Sequence, residues 1–264
     1  MKHRRLSRRD LLRLGAGATL GAGLSAAAPA LTHGVTSGDV VPAVARGVAI
    51  RSLDTGQRQV ALTYDDLWYG YHALRIGRAW AKLDVRVTFF PTGLAVQNHL
   101  ARSHEDLANL YPRLRDMGHE FGTHLFTHGN LREYSLPELV ERELEPALQV
   151  MRRALGNDFM PLAIRPPYGI MTQALKDLSR QYDIPLVLWN LDSGDTLCGG
   201  GKIENSAECS EEIVATLEQY LVPGSIVLHH TIKASYLAIE PTAELLDERN
   251  LQAAPLSEML NAAG

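Results

Sequence analysis

The 264-residue chain contains no stretch of about 20 uninterrupted strongly apolar residues, so nothing in it reads as a permanent membrane span. It has no internal repeat, and no low-complexity block beyond a Gly/Ala-rich segment near its start. An excess of basic charge is also missing. The formal net charge is −4, and six of the 26 basic side chains (Lys2, Arg4, Arg5, Arg8, Arg9 and Arg13) fall in the first 30 residues beside one acid, Asp10. The remainder sets 20 basic groups against 29 acidic ones, a net charge of −9. A nucleic-acid surface needs clustered Lys and Arg to neutralise phosphates, so that class of partner is excluded. Cysteine is sparse, with two in the chain. What is present is ordinary for a globular protein: 45% hydrophobic and 21% charged residues, with 22 Gly and 13 Pro. That composition excludes disorder, collagen-like repeats and a coiled coil.

The N-terminus reads as an address. Ser7-Arg8-Arg9-Asp10-Leu11-Leu12-Arg13 precedes a weakly apolar run from Leu14 to Leu31. Charged region, apolar region and small residues follow one another as in a signal peptide. Gly15, Gly17, Gly21 and Gly23 would weaken a structural helix there. The paired arginines and mildly hydrophobic core resemble a twin-arginine signal, with Leu11 where Phe is usual. Ala28-Pro29-Ala30 offers a cleavage site, with Ala26-Ala27-Ala28 as the alternative. The resemblance implies the twin-arginine export machinery as a partner of the precursor. The expected organisation is a signal over residues 1–30, a linker over 31–58 and one catalytic domain over 59–264.

The rest of the chain alternates between two periods. Strand-like runs cover Val60–Tyr64, Val85–Phe90, His119–Thr123, Leu162–Arg165, Leu186–Trp189 and Ile226–His229. Helical spacing covers Tyr71–Leu83, Ser103–Met117, a stretch from the capping box at Ser135 to Leu155, Thr172–Gln181, and Ser210–Leu221. A further helix, a short extended stretch and a last turn from Ser257 close the chain. Such alternation predicts an α/β fold, a mainly parallel sheet covered by helices and curled into an incomplete (β/α) barrel. In barrels of this kind function sits at the C-terminal ends of the strands. Asp65-Asp66, His124, Arg165, Asp192, Asp195 and His229-His230 all lie there.

These residues compose a hydrolytic site. His124 and His128 are four apart, and on one helical turn they would point the same way. Two His and one Asp supply the three protein ligands of an open catalytic Zn²⁺-type site, which keeps a position for water. A second carboxylate can take the water's proton. Adjacent aspartates at a strand end point in different directions, so one can bind metal while the other faces substrate. Arg165 can hold the free carboxylate ionised, and a separate His can protonate a leaving group.

The ordered motifs resemble those of the NodB-homology polysaccharide deacetylases, carbohydrate esterase family four. Thr63-Tyr64-Asp65-Asp66 is similar to the first motif, His124 to His128 to the second, and Arg165-Pro166-Pro167-Tyr168-Gly169 to the third. Asp192-Ser193-Gly194-Asp195 is similar to the fourth, and Leu228-His229-His230 to the fifth. The resemblance implies Asp65 as general base and Asp66, His124 and His128 as metal ligands. It implies Arg165 as brace for Asp65 and the Tyr168 backbone N–H as oxyanion donor. His230 becomes the general acid tuned by Asp195, and Leu228 the wall of the acetyl pocket. The implied cofactor is one divalent metal, Zn²⁺ first, with Co²⁺ or another ion as alternatives.

Three positions depart from the family pattern. Leu67 replaces Gly, Leu125 replaces Ser/Thr, and Thr196 replaces the Trp that walls the cleft. Trp68 is a candidate to refill the substrate pocket. The expected function is an exported, periplasmic or extracellular, metal-dependent hydrolase removing N- or O-acetyl groups from a cell-wall or extracellular glycan. Two alternatives are a non-catalytic metal-stabilised glycan-binding protein and a hydrolase of a small amide or cyclic imide. Cys198 and Cys209 flank a Gly-rich loop, and in an exported protein they are expected to pair. Closing that loop of about 12 residues contributes roughly 3 kcal/mol by chain entropy.

Overall fold

Among the described residues, eight short strands, paired in parallel wherever a strand ladder forms, set the architecture. The computed structural model describes residues 45–102, 104–197 and 206–263. In chain order the strands are β1 (Ala49–Ile50), β2 (Gln59–Asp66), β3 (Thr88–Pro91), β4 (Glu120–Phe121), β5 (Leu186–Val187), β6 (Leu191–Asp192), β7 (Ile226–His230) and β8 (Gln252–Ala253). β2 is the centre. It pairs with β3 on one side and β7 on the other, and its first two residues pair with β8. Seven of its eight residues are buried, as expected of a strand covered on both faces. The sheet continues from β3 to β4 and from β7 to β6. β1 and β5 form a separate pair, tied to the end of β4 only by single bridges through Ile164. The result is an α/β fold with a curled, incomplete barrel.

Helices cover the outer face. Gly70–Lys82 packs against β2, where Trp80 Nε1 donates to the Tyr64 hydroxyl at 2.7 Å. The Ser135 capping box opens the helical stretch from Leu136 to Leu155, with Glu138 Oε2 accepting from both the Ser135 N–H and its hydroxyl. A five-residue π turn, Val140–Leu144, interrupts it. Among the described residues, no helix is long and apolar enough to cross a membrane.

Several elements differ from the sequence expectation. Ser103–Met117 divides into Glu105–Ala108 and Leu110–Asp116. Pro112 explains the break, because in a continuous helix its ring would clash with the Ala108 carbonyl. The pattern also missed a helix at Gly93–Leu100, capped by Thr92 Oγ1 accepting from the Ala95 N–H. The helix expected from Ser210 begins at Ser206. Leu162–Arg165 makes isolated bridges at Ile164 rather than a strand. Ala49–Ile50, within the segment read as a linker, pairs with Leu186–Val187. The signal segment, its cleavage sites and Cys198 lie outside the described residues.

Candidate metal centre and active site

The register of β2 against β7 sorts the reactive side chains. Thr63 pairs with Leu228, Tyr64 with His229 and Asp65 with His230. Alternate residues of a strand face opposite sides, so Asp65, His230, Thr63 and Leu228 share the inner face. Tyr64 and His229 share the outer face, where their rings stack with centroids 4.9 Å apart. Burial holds the His229 imidazole below its ordinary pKa. It is a neutral core residue, and only His230 turns toward the cleft.

Asp65 is nearly inaccessible. Its Oδ1 accepts from Arg165 Nη1 at 2.7 Å, and the same nitrogen donates to Thr63 Oγ1 at 2.7 Å. Arg165 is itself fully buried, with Nη2 on the Leu188 carbonyl and its guanidinium 4.1 Å from the centre of the Phe90 ring. Arg remains charged in proteins, so the Asp65 carboxylate is held rigid beside a fixed cation. The chain then turns sharply. The Leu67 N–H donates to the Asp65 carbonyl at 2.9 Å, and Asp66 between them has φ +69°. This is an uncommon, strained turn, and it brings both adjacent carboxylates to His124 Nε2, Asp65 Oδ2 at 3.7 Å and Asp66 Oδ1 at 3.6 Å.

Asp66 meets two imidazoles. Its Oδ1 is 3.6 Å from His124 Nε2 and 3.4 Å from His128 Nε2. His124 Nδ1 lies 2.6 Å from the Arg165 carbonyl and must donate to it, leaving Nε2 as a lone pair. Burial, opposed by the charges of Asp65 and Asp66, holds His124 below its ordinary pKa and therefore neutral. An acceptor thus faces an acceptor. Asp66 Oδ1 is buried and has no hydrogen-bond partner, which costs on the order of 1–3 kcal/mol unless a cation satisfies it. Two ligand atoms at Zn–N and Zn–O bond lengths on a tetrahedral ion stand about 3.4 Å apart. The three groups therefore fit a divalent metal.

The His124–His128 segment is a loop, not the helical turn expected from the spacing. Leu125 and His128 have φ of +61° and +62°. The N–H groups of Gly93 and Leu94, at the start of a helix, donate to the carbonyls of Leu125 and Phe126 at 2.8 and 3.0 Å. A Cβ on Gly93 would come within 2.2 Å of the Phe126 ring, so this approach requires glycine. Leu67, where the family pattern has Gly, also adopts a left-handed φ of +61° while its side chain is fully buried. Tyr168, at φ +58°, sets its ring edge-on to His128. Five of the eight non-glycine residues with positive φ among the described residues thus belong to this site. Such strain collects where surrounding structure over-determines geometry.

On the opposite side, His230 Nδ1 lies 2.9 Å from Asp195 Oδ1. Asp195 Oδ2 accepts from the His230 N–H at 2.5 Å and from Ser235 Oγ at 2.6 Å. Burial alone would lower the His230 pKa. The hydrogen bond and charge of Asp195, joined by Asp65 and Asp66, outweigh burial and push it up to about 9. Asp192 is exposed and accepts from the Gly194 N–H instead of entering the site. Ser235 was missed by sequence reasoning, and Thr63 was read only as the start of the first motif with no role of its own, since single hydroxyl residues carry no spacing signal.

A cleft of about 260 Å³ opens between Asp66 and His230. Trp68, Tyr69, His72, Thr196 and Ile232 line it. Thr196 stands where the family pattern has Trp, and Trp68 supplies an aromatic wall. Leu228 is buried on the inner face and is not among the lining residues.

Comparison with known proteins agrees with this geometry. Chitin deacetylase 1 of Saccharomyces cerevisiae is 32% identical over 114 residues, covering 43% of this chain and 34% of that protein. The peptidoglycan-N-acetylglucosamine deacetylase of Listeria monocytogenes is 23% identical over 203 residues, 76% of this chain and 39% of that protein. The chain therefore spans between a third and two fifths of the length of these two relatives. A solved CE4 family pseudoenzyme from Bacillus anthracis shares the fold with a TM-score of 0.70 at 21% identity, over 82% of this chain and 70% of that one. The polysaccharide deacetylase profile matches residues 52–187, just over half of the sequence. That span holds the paired aspartates, both imidazoles and the Arg165 brace, and with it the chain belongs to the polysaccharide deacetylase family.

Proposed function

We propose that the protein is an exported metal-dependent hydrolase that removes N- or O-acetyl groups from a cell-wall or extracellular glycan. The observation that carries this reading is the buried, unpartnered Asp66 Oδ1 facing the Nε2 atoms of two imidazoles, His124 and His128. One carboxylate and two imidazoles suit Zn²⁺, with Co²⁺ or another divalent ion as alternatives. A metal held there supplies Lewis acidity toward water and the acyl carbonyl. Asp65, fixed by Arg165, takes the proton of the attacking water. The backbone N–H of Tyr168 donates to the oxygen that gains charge. His230, aligned by Asp195, gives its proton to the departing amine or alkoxide, so acetate and a free amine or hydroxyl result.

Acetate release from acetylated chitin, peptidoglycan and xylan fragments, with and without added Zn²⁺ or Co²⁺, tests the activity. Release dependent on the metal is expected. A second reading, a non-catalytic metal-stabilised glycan binder, draws support from the open cleft at Thr196 and from the likeness to a pseudoenzyme. Binding of these fragments with no acetate release under any metal condition would favour it. Hydrolysis confined to small amides or cyclic imides would instead favour the third.

The metal reading has its own check. Mature protein should carry close to one divalent ion per chain by elemental analysis, and His128→Ala should lower that content, because one of three protein ligands is gone. Unchanged stoichiometry in the variant would remove His128 from the ligand set. Export carries a second consequence, the proposed Cys198–Cys209 disulfide. Thiol titration of denatured, unreduced protein should find no free sulfhydryl, and two would refute the pairing.

A further inference from the structure

We infer that Glu143 is the positioning residue that shapes the metal-binding loop, in place of the hydroxyl that the family pattern puts at position 125. The inference rests on the metal reading of Asp66, His124 and His128. Glu143 is completely buried, which carboxylates rarely are without dedicated partners. Its partners are all in the loop. Oε2 accepts from the N–H groups of Phe126 and Thr127, each at 2.9 Å, and Oε1 accepts from Thr127 Oγ1. The Thr127 hydroxyl in turn accepts from the Gly129 N–H at 3.1 Å.

The loop is therefore held from two sides. The helix start at Gly93 and Leu94 takes its carbonyls, and Glu143 takes its N–H groups. Both strained residues, Leu125 and His128, flank the clamped peptides. Leu125 has no polar side-chain atom and packs in a hydrophobic cluster, so it cannot tie the loop itself. Glu143 lies within the π turn Val140–Leu144, a distortion that often marks functional positions. Residues that orient metal ligands commonly change metal affinity by about 10- to 100-fold when replaced.

The test is Zn²⁺ titration of chelator-stripped protein, paired with thermal unfolding of the same stripped samples. Glu143→Gln preserves shape but removes the charge and one acceptor oxygen, so with its carbonyl on the two N–H groups its NH₂ replaces the acceptor to which the Thr127 hydroxyl donates. Its Kd for Zn²⁺ should weaken by about 10- to 100-fold, while the stripped variant unfolds near the wild-type midpoint. Thr127→Val, which keeps both backbone bonds to Glu143 but removes the hydroxyl's bond to Oε1 and the one it accepts from the Gly129 N–H, should weaken Zn²⁺ binding several-fold. A structural residue alone would lower the unfolding midpoint and leave Kd unchanged. Hence a Glu143→Gln Kd within twofold of wild type overturns the inference. Should that variant not fold, Thr127→Val decides on the same criterion. Wild-type protein that takes up no Zn²⁺ overturns the metal reading itself, a distinct result from a variant that binds as wild type does.

Discussion

Asp65→Asn should keep its metal and lose turnover by a factor of about 10² to 10⁴. The amide oxygen can still accept from Arg165 Nη1, so the hydrogen bond that fixes the side chain survives. Its NH₂ then occupies the position of Oδ2, which lies 3.7 Å from His124 Nε2 and holds no metal in the proposed assignment. What disappears is the proton acceptor. The buried Arg165 loses its countercharge as well, and removing one partner of a buried pair can cost about 3–5 kcal/mol. The variant should therefore unfold at lower temperature while remaining metal-loaded at the assay temperature. Elemental analysis beside the acetate assay separates the two aspartates. Asp66→Asn should lose metal and activity together. If Asp65→Asn sheds its metal and Asp66→Asn retains it, the assigned roles are interchanged.

Much of this arrangement is legible in the sequence because strand ends collect chemistry. Asp65, Arg165 and His230 follow apolar runs, His124 and Asp195 come soon after strand-like segments, and the alternation of strands and helices puts those ends on one rim. The supporting groups are harder to read. Glu143 sits in the acidic and basic stretch Glu138–Glu145, which looks like a solvated helix face. The available signal was its place four residues after buried Leu139 and four before buried Ala147, on the apolar stripe. A charged residue on that stripe needs a buried partner. The π turn hides it further, because a period of 3.6 no longer describes the segment.

Backbone conformation was illegible for a different reason. The spacing of His124 and His128 fits one helical turn, yet the imidazoles converge through a loop with left-handed residues at 125 and 128. Nothing in the identities of Leu67 or Leu125 announces positive φ, which leucine avoids at a cost of roughly 1–2 kcal/mol. At Leu125, bonds between its loop and Pro91, Gly93, Leu94 and Glu143 impose it, and at Leu67 it follows the tight turn closed by the Asp65 carbonyl. Pro112, by contrast, did announce its helix break, and the apolar spacing around it obscured the signal.

His230→Ala should depress turnover by about 10² to 10⁴ while folding and Zn²⁺ uptake stay near wild type, and His229→Ala should do the opposite. His229 is stacked on Tyr64 inside the core, so its truncation leaves a cavity and should cost on the order of 2–4 kcal/mol. His230 reaches the cleft, and in the proposed mechanism it carries a proton when the leaving group departs. Asp195 provides for that through the bond to Nδ1, and the folded-state pKa of His230 stands at about 9. Because this value lies above the unfolded one, the interaction contributes fully to stability below a pH of about 6.5. That contribution is lost as pH rises through about 9. Asp195→Asn removes the charge and should move the His230 titration to lower pH, carrying the alkaline limb of the rate profile with it. NMR titration of the metal-stripped protein reads the pKa directly, free of the metal's own charge. A wild-type His230 titrating at or below about 6.5 would refute the Asp195 tuning. A folded, metal-loaded but inactive His229→Ala would mean that the acid is the other histidine.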